Sequence, residues 1–156
     1  MALSKIDGTN LIEGTVPSTV APGAGKVLQV VSVTSTAQQT TTSGTYVAST
    51  GFTASITPSS TSSKILVSVM SNIRSSADAS YTLYRGATNL AGAGAFVQIY
   101  ANNNDIRQLM TINYLDSPST TSSTTYTLYF LAGAGTAYIN QEGSKQGQII
   151  LTEIGG

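Results

Sequence analysis

The sequence predicts an all-β fold, an antiparallel β-sandwich of jelly-roll type carrying an extended N-terminal arm. Three observations lead there. Apolar residues recur with the two-residue period of half-buried strands, as in Phe52, Ala54 and Ile56 alternating with Thr53, Ser55 and Thr57. Gly, Pro and Ser/Thr breaks cut the pattern at short intervals, leaving roughly nine or ten strands. No segment beyond a few residues has helical periodicity, and no repeat period suggests a propeller or solenoid.

Residues 1–25 form the expected arm and 26–156 the body. The arm, MALSKIDGTNLIEGTVPSTVAPGAG, has Gly or Pro interrupting every apolar cluster, so no helix in it stands alone. Its Ile6, Leu11, Ile12 and Val16 are expected to dock on another protein, the alternatives being an arm folded back on its own body or left disordered. The body opens with Lys26 to Thr36, apolar on both parities and expected to be buried on two sides. Ala37 to Ser43 reads as a polar loop, Thr45 to Ser49 as a short strand, and Thr50-Gly51 as a turn into the strand at Phe52. Pro58 and the hydroxyl run to Ser63 then stop the ladder, because proline has no N–H and short hydroxyls bond their own backbone.

Lys64 to Met70, again apolar on both parities, reads as a central strand, and Arg74 to Asp78 as a turn. Ala79 to Arg85 is a strand, Ala87 to Leu90 at most a short one, and Ala95 to Tyr100 another. The Asn-rich tract at Asn102, Asn103, Asn104 and Asp105 is loop-like. Ile106 to Leu115 is expected to point Ile106, Met110, Ile112 and Tyr114 inward, with Leu109 breaking the outer face. A corner at Asp116 to Thr125 precedes strands at Tyr126 to Ala132, Gly135 to Asn140 and Gln146 to Ile154, with a hairpin loop at Gln141 to Lys145. Two echoes stand out: Pro58 to Ser63 resembles Pro118 to Ser123, and Ala91 to Gly94 repeats at Ala132 to Gly135.

Composition narrows the chemistry. The 156 residues are 9% charged, with seven basic and seven acidic side chains and no net charge. The cations are scattered singly, so nothing makes the basic stripe that nucleic acid needs. Ser and Thr exceed a quarter of the chain, so hydroxyls rather than charges face the water. With no Cys and no His, a disulfide, a thiolate nucleophile, a Cys/His zinc site and a Ser-His-Asp triad are all excluded within one chain. The N-terminus lacks the apolar run of a cleaved leader, and no stretch approaches a membrane span, so neither cleaved export nor membrane insertion is expected.

A glycosidase needs two carboxylates about 5–9.5 Å apart across the bond. Asp78, Asp105, Asp116 and Glu142 fall in expected loops, where turn capping is the ordinary role, and Glu153 is expected to pair with Lys or Arg. The Asn tract offers hard oxygen ligands but one carboxylate, too little charge for calcium. No enzyme, metal or cofactor is therefore expected. Of eight tyrosines, Tyr100 and Tyr138 lie near amide residues and suggest a recognition surface at Tyr100, Asn102, Asn103, Asn104, Tyr138 and Asn140, where ring stacking and hydrogen bonds would hold a sugar. Tyrosine is equally an ordinary strand residue with a buried ring and wet hydroxyl.

Gly25 to Val31 (GKVLQVV) with Thr53 to Val67 (TASITPSSTSSKILV), Tyr84 to Leu90 (YRGATNL) and Asp116 to Tyr126 resembles small virion structural proteins of tailed bacteriophages. The likeness covers about Lys26 to Ile154, and Gly14-Thr15-Val16-Pro17 is similar to segments of fibre proteins. It implies a β-sandwich that assembles as a homotrimer and joins another virion protein through its arm. The implied role is a short tail fibre touching a host surface glycan, the alternative being a capsid decoration or head fibre protein. It implies a virion protein assembled in the host cytoplasm.

Overall fold

The computed structural model describes residues 25–101, 104–141 and 146–156. Every regular element among them is a strand, and all pairings are antiparallel. The elements are β1 (Val27–Ser35), β2 (Gln39–Thr41), β3 (Val47–Ile56), β4 (Lys64–Ser75), β5 (Ala79–Arg85), β6 (Thr88–Asn89), β7 (Val97–Ile99), β8 (Ile106–Asp116), β9 (Thr124–Ala132), β10 (Ala137–Ile139) and β11 (Gly147–Ile154). The expected arm, with Ile6, Leu11, Ile12 and Val16, lies outside the described residues, as do Asn102, Asn103 and Glu142.

Two sheets pack face to face in a β-sandwich. In the first, β4 pairs with β8 on one side along its whole length. Its other side pairs with β11 over Lys64–Met70 and with β10 over Ile73–Ser75, so β10 and β11 form one interrupted row. β1 and β2 form the next, pairing with β11 and β10 respectively. In the second sheet β9 lies between β3 and β5, while β6 and β7 share the far side of β5.

The alternation seen in the sequence builds the core. Phe52, Ala54 and Ile56 from β3 meet Tyr126, Leu128 and Phe130 from β9, and Ile65, Val67 and Val69 from β4 face them across the sandwich. Burying a side chain of this size stabilises the fold by about 1.5–3 kcal/mol. Met110 and Ile112 point inward as their spacing predicts, with Ile106 and Tyr114 half-buried, and Leu109 is exposed.

Several expectations are corrected. Lys26 to Thr36 is not buried on two sides: β1 is the last strand of its sheet, and Val27, Leu28 and Val30 are 61%, 47% and 58% exposed. Lys64 to Met70 is central within its sheet, yet its second apolar parity, Leu66 and Met70, faces outward. Thr50-Gly51 does not turn; both residues sit in a bulge of the continuous β3, where the register against β9 jumps between Ala48 and Thr53. The polar tract Ala37 to Ser43 contains β2, and β4 runs on through Arg74 and Ser75 where a turn was expected. Asp116 ends β8 and is buried rather than lying in an open corner.

Glu153 is corrected too. It is fully buried and pairs with no Lys or Arg among the described residues. Its Oε1 accepts from the Ser59 N–H at 2.7 Å and the Ser59 hydroxyl at 2.6 Å, and its Oε2 from Gln29 Nε2 at 2.6 Å. Neutral donors satisfy a buried carboxylate when they converge on both oxygens. The hydroxyl corner after β3 is thereby pinned to β11.

Burial alone would push the Glu153 carboxyl up, but the hydrogen bonds from Ser59 and Gln29 outweigh it and hold the group at about 2, below its ordinary 4.5. Its contribution to stability is therefore complete above pH 4.5 and is lost as the pH falls towards 2. Urea denaturation should show Glu153→Gln about 1–3 kcal/mol less stable than wild type at neutral pH. The gap should close on acidification; parallel pH profiles would refute the role given to Glu153.

Candidate functional site

The sandwich has two unlike ends. At the entry end, the Gly25 N–H donates to Gly155 O at 2.6 Å and the Gly155 N–H to Lys26 O at 2.8 Å, so the chain comes in beside its own last strand. The two echoing Pro-Ser/Thr corners, 57–63 and 117–123, both lie here. Twelve residues of β4 separate this end from the far one, roughly 40 Å of strand.

Behind the entry end sits a polar trio built on buried Asp116 and Tyr126 with half-buried Arg85. Arg85 Nη1 donates to Asp116 Oδ1 at 2.9 Å and Oδ2 at 2.8 Å, and the Tyr126 hydroxyl donates to Oδ2 at 2.6 Å. Burial, then the Asp116 hydrogen bond, raises the Tyr126 pKa, so the phenol stays a donor. An open cleft of about 350 Å³ lies beside the trio, lined by Arg85, Pro118, Thr120 and Ser123 among others. Both Asp116 oxygens accept from these partners, so the group fastens β5, β8 and β9 together.

The far end carries an exposed tyrosine and three partly exposed charged side chains, Arg74, Asp105 and Arg107. Tyr100 leaves β7 73% exposed, and its hydroxyl donates to Gln98 Oε1 at 3.1 Å. The chain after it is tied down by the Ala101 N–H donating to Asp78 Oδ1 at 3.2 Å and the Asn104 N–H to Ala101 O at 2.6 Å. Asp105 then reaches across to Arg74, Nε to Oδ1 at 2.5 Å, and accepts from Arg107 Nε at 3.3 Å. The Arg74 guanidinium lies 4.8 Å from the centre of the Tyr138 ring, a cation–π contact. The hydrogen bond from Arg74 holds the Asp105 carboxyl below its ordinary value.

Tyr100, Asn104 and Tyr138 thus lie at one end of the body, where Arg74 links Tyr138 to Asp105, the residue after Asn104. The sequence reading missed both bridging roles, and Arg107 with them. The signal was present: Arg74 and Arg107 are opposed in register across β4 and β8, and Asp105 directly precedes β8. Reading Arg74 as a turn residue hid it. A second group missed is the tyrosine stack on the outer face of the other sheet, where Tyr84 and Tyr129 have ring centres 3.9 Å apart and Tyr46 meets Tyr84 edge-on at 6.2 Å.

Asn140 is different in kind. It has no exposed surface, and its backbone takes a φ of +51°. Its Nδ2 donates to Ser35 O at 2.7 Å, its Oδ1 accepts from the Ser71 hydroxyl at 3.0 Å, and its N–H donates to Ser71 Oγ at 3.2 Å. Asparagine tolerates left-handed backbone better than most residues. It therefore ends β10 and keeps its amide inside the fold, with nothing left for a ligand.

The four described carboxylates, Asp78, Asp105, Asp116 and Glu153, each accept hydrogen bonds within the fold. Among the described residues no group of three or more His, Cys, Asp or Glu could hold a metal ion. The far end offers an exposed ring, two guanidinium groups and amide and hydroxyl groups on an open surface. Such groups hold a ligand by stacking and hydrogen bonding.

Asn140→Gly keeps the left-handed backbone but loses the side-chain bonds, whereas Asn140→Ala loses both. Thermal or urea unfolding should therefore rank wild type above Asn140→Gly and Asn140→Ala last, with the alanine variant down by about 2–4 kcal/mol. Equal losses would show that the backbone angle contributes nothing.

No family model and no curated protein matches the sequence.

Proposed function

We propose that the chain is a structural protein of a tailed-bacteriophage particle. In this reading it is a short tail fibre that assembles as a homotrimer, is tethered by residues 1–25, and meets a host surface glycan with the far end of its body. The observation that carries the proposal is the polarity of the sandwich. The arm joins at the end where Gly25 pairs with Gly155, and the loop bearing exposed Tyr100 lies a full strand length away. A tether and a contact surface at opposite ends are what a spike needs.

Two further features support it. Counting each interrupted row as one strand, the eight rows run 1-8-3-6 in one sheet and 2-7-4-5 in the other, an order that favours a jelly-roll reading. That architecture recurs in viral capsid and lectin domains. The resemblance of Lys26 to Ile154 to phage virion proteins points the same way. The role is binding, with no catalytic step assigned to any residue.

The test separates the two ends. Tyr100→Ala and Tyr138→Ala should each weaken adsorption to host cells, or binding to the glycan that an array identifies, by roughly three- to tenfold. Removing residues 1–25 should release the protein from particles while leaving glycan binding intact. Retention on particles without the arm, together with unchanged adsorption of the tyrosine variants, would sink the proposal. An arm that binds assembled heads instead of tails would make the protein a capsid decoration.

A further inference from the structure

The chain carries two near-copies of one corner, Pro58 to Ser63 (PSSTSS) and Pro118 to Ser123 (PSTTSS), and both lie at the entry end. They turn alike: the Ser62 N–H donates to Ser60 Oγ at 3.2 Å, and the Ser122 N–H to Thr120 Oγ1 at 3.0 Å. The first corner holds a carboxylate, because Ser59 donates both its N–H and its hydroxyl to Glu153. In the second, Ser119 takes a φ of +52°, and no carboxylate among the described residues accepts from the corner. The second corner instead borders the open cleft of about 350 Å³.

That cleft has the chemistry a carboxylate needs. Arg85 lines it with a side chain 31% exposed. Its hydrogen bonds to Asp116 and to Ser117 O all leave from Nη1. Nε and Nη2 are left over, and together they form the planar fork that meets a carboxylate through two parallel bonds. A second cation stands close by, because Lys64 Nζ donates at 3.1 Å to Oγ of the same Ser117. Against these two charges stands one carboxylate, Asp116, which is 7% exposed and already accepts from Arg85 and Tyr126. One positive charge is therefore uncompensated. Thr120, Ser123 and Thr125 add hydroxyls to the lining and Pro118 an apolar ring. The volume falls at the low end of small-molecule sites, roughly 300–1,000 Å³.

We propose that this cleft, between the Arg85-Gly86 turn and the corner at 117–123, is a carboxylate-binding site. The Arg85 fork and Lys64 take the carboxylate, and Thr120 and Ser123 bond the polar groups beside it. The first corner shows what such a motif does when the chain supplies the acid itself; the second has a vacant cleft and cations in place of an internal glutamate. Two sources offer the group: a free sugar acid, and Asp7 or Glu13 from the residues that precede Gly25 at this same end. The site is distinct from the far-end surface and depends on neither a particle nor a host.

Titration with sodium glucuronate, followed through backbone amide NMR shifts, tests the site, with glucose as the uncharged control. In the full chain or in the chain lacking residues 1–24, glucuronate should saturably shift Arg85, Gly86 and residues 119–125, and glucose should not. Lys64→Ala should weaken binding roughly two- to fivefold. Ser123→Glu, which sets a carboxylate in the cleft, should abolish it; both positions are exposed, so the fold is kept. Binding by the full chain identifies a free acid as the ligand. Binding only after residues 1–24 are removed identifies the chain's own acid, and Asp7→Asn/Glu13→Gln in the full chain should then restore it. Absence of saturable shifts from both chains overturns the proposal. Equal binding of glucose, or binding that survives Ser123→Glu, overturns it too.

Discussion

The fold depends on how its interrupted rows are locked at one level. Between β10 and β11 the chain leaves its row, and opposite that departure β4 presents Ser71 and Asn72, which meet neither strand in register. Between β1 and β2 a second gap opens at the same height. The Asn140 side chain fills the junction, joining Ser71 of β4 to Ser35 at the end of β1. The bulge of β3 faces it from the other sheet: the Thr50 N–H donates to Gln39 Oε1 at 2.9 Å, and Phe52 enters the core there. The approach is so close that a Cβ on Gly147 would stand 2.5 Å from both the Phe52 ring and Asn140 Oδ1. Three irregularities share one plug, so each is tolerable only because the others are present.

That lock gives the body its length. With β10 and β11 acting as one row, and β1 and β2 as another, β4 pairs with β8 from Ile65 to Ser75 and on its other edge is interrupted only at Ser71 and Asn72. The entry end is then fastened by two carboxylates that seldom survive burial alone. Glu153 is held by neutral donors from the corner at Ser59, and Asp116 by a guanidinium and a phenol. The far end is fastened differently, by exposed pairs through Asp105 that solvent screens and that contribute little to stability. The strong polar anchors sit where the chain enters, and the weaker, exposed pairs sit at the opposite end.

Much of this was legible in the sequence. Period-two alternation placed the inward residues of β3 and β8, and the Pro-Ser/Thr corners at Pro58 and Pro118 ended strands as proline and hydroxyl chemistry require. What period cannot tell is which side of a strand another layer will cover. Val30 and Leu66 have the alternation of a doubly buried strand, yet among the described residues no second layer covers their face, and period alone does not say whether one will. Asn140 was misjudged for a related reason: an amide next to a tyrosine looks the same whether it faces a sugar or Ser71. Its backbone angle and the gap in β4 decide the matter, and both are long-range features. The bulge at Thr50-Gly51 was read as a turn because a Gly in a strand run signals either, and only the register against β9 distinguishes them.

The contrast between the two outer sheet faces bears on why so few charges suffice. A sandwich with hydroxyl ladders on one side needs no ions there, since Thr53–Thr127 and Ser55–Thr125 bond each other and still hydrate. The other side is more apolar, with Leu115, Leu109 and Val30 exposed among polar side chains and with charge at Lys64, Arg74 and Arg107. Charge placed at the centre of that face would cure the exposure and also forbid any close, dry contact across it. Hydroxyl and amide groups, Ser68, Thr152, Asn113 and Thr111, hydrate that centre in its place, as the serine and threonine pairs do on the other sheet.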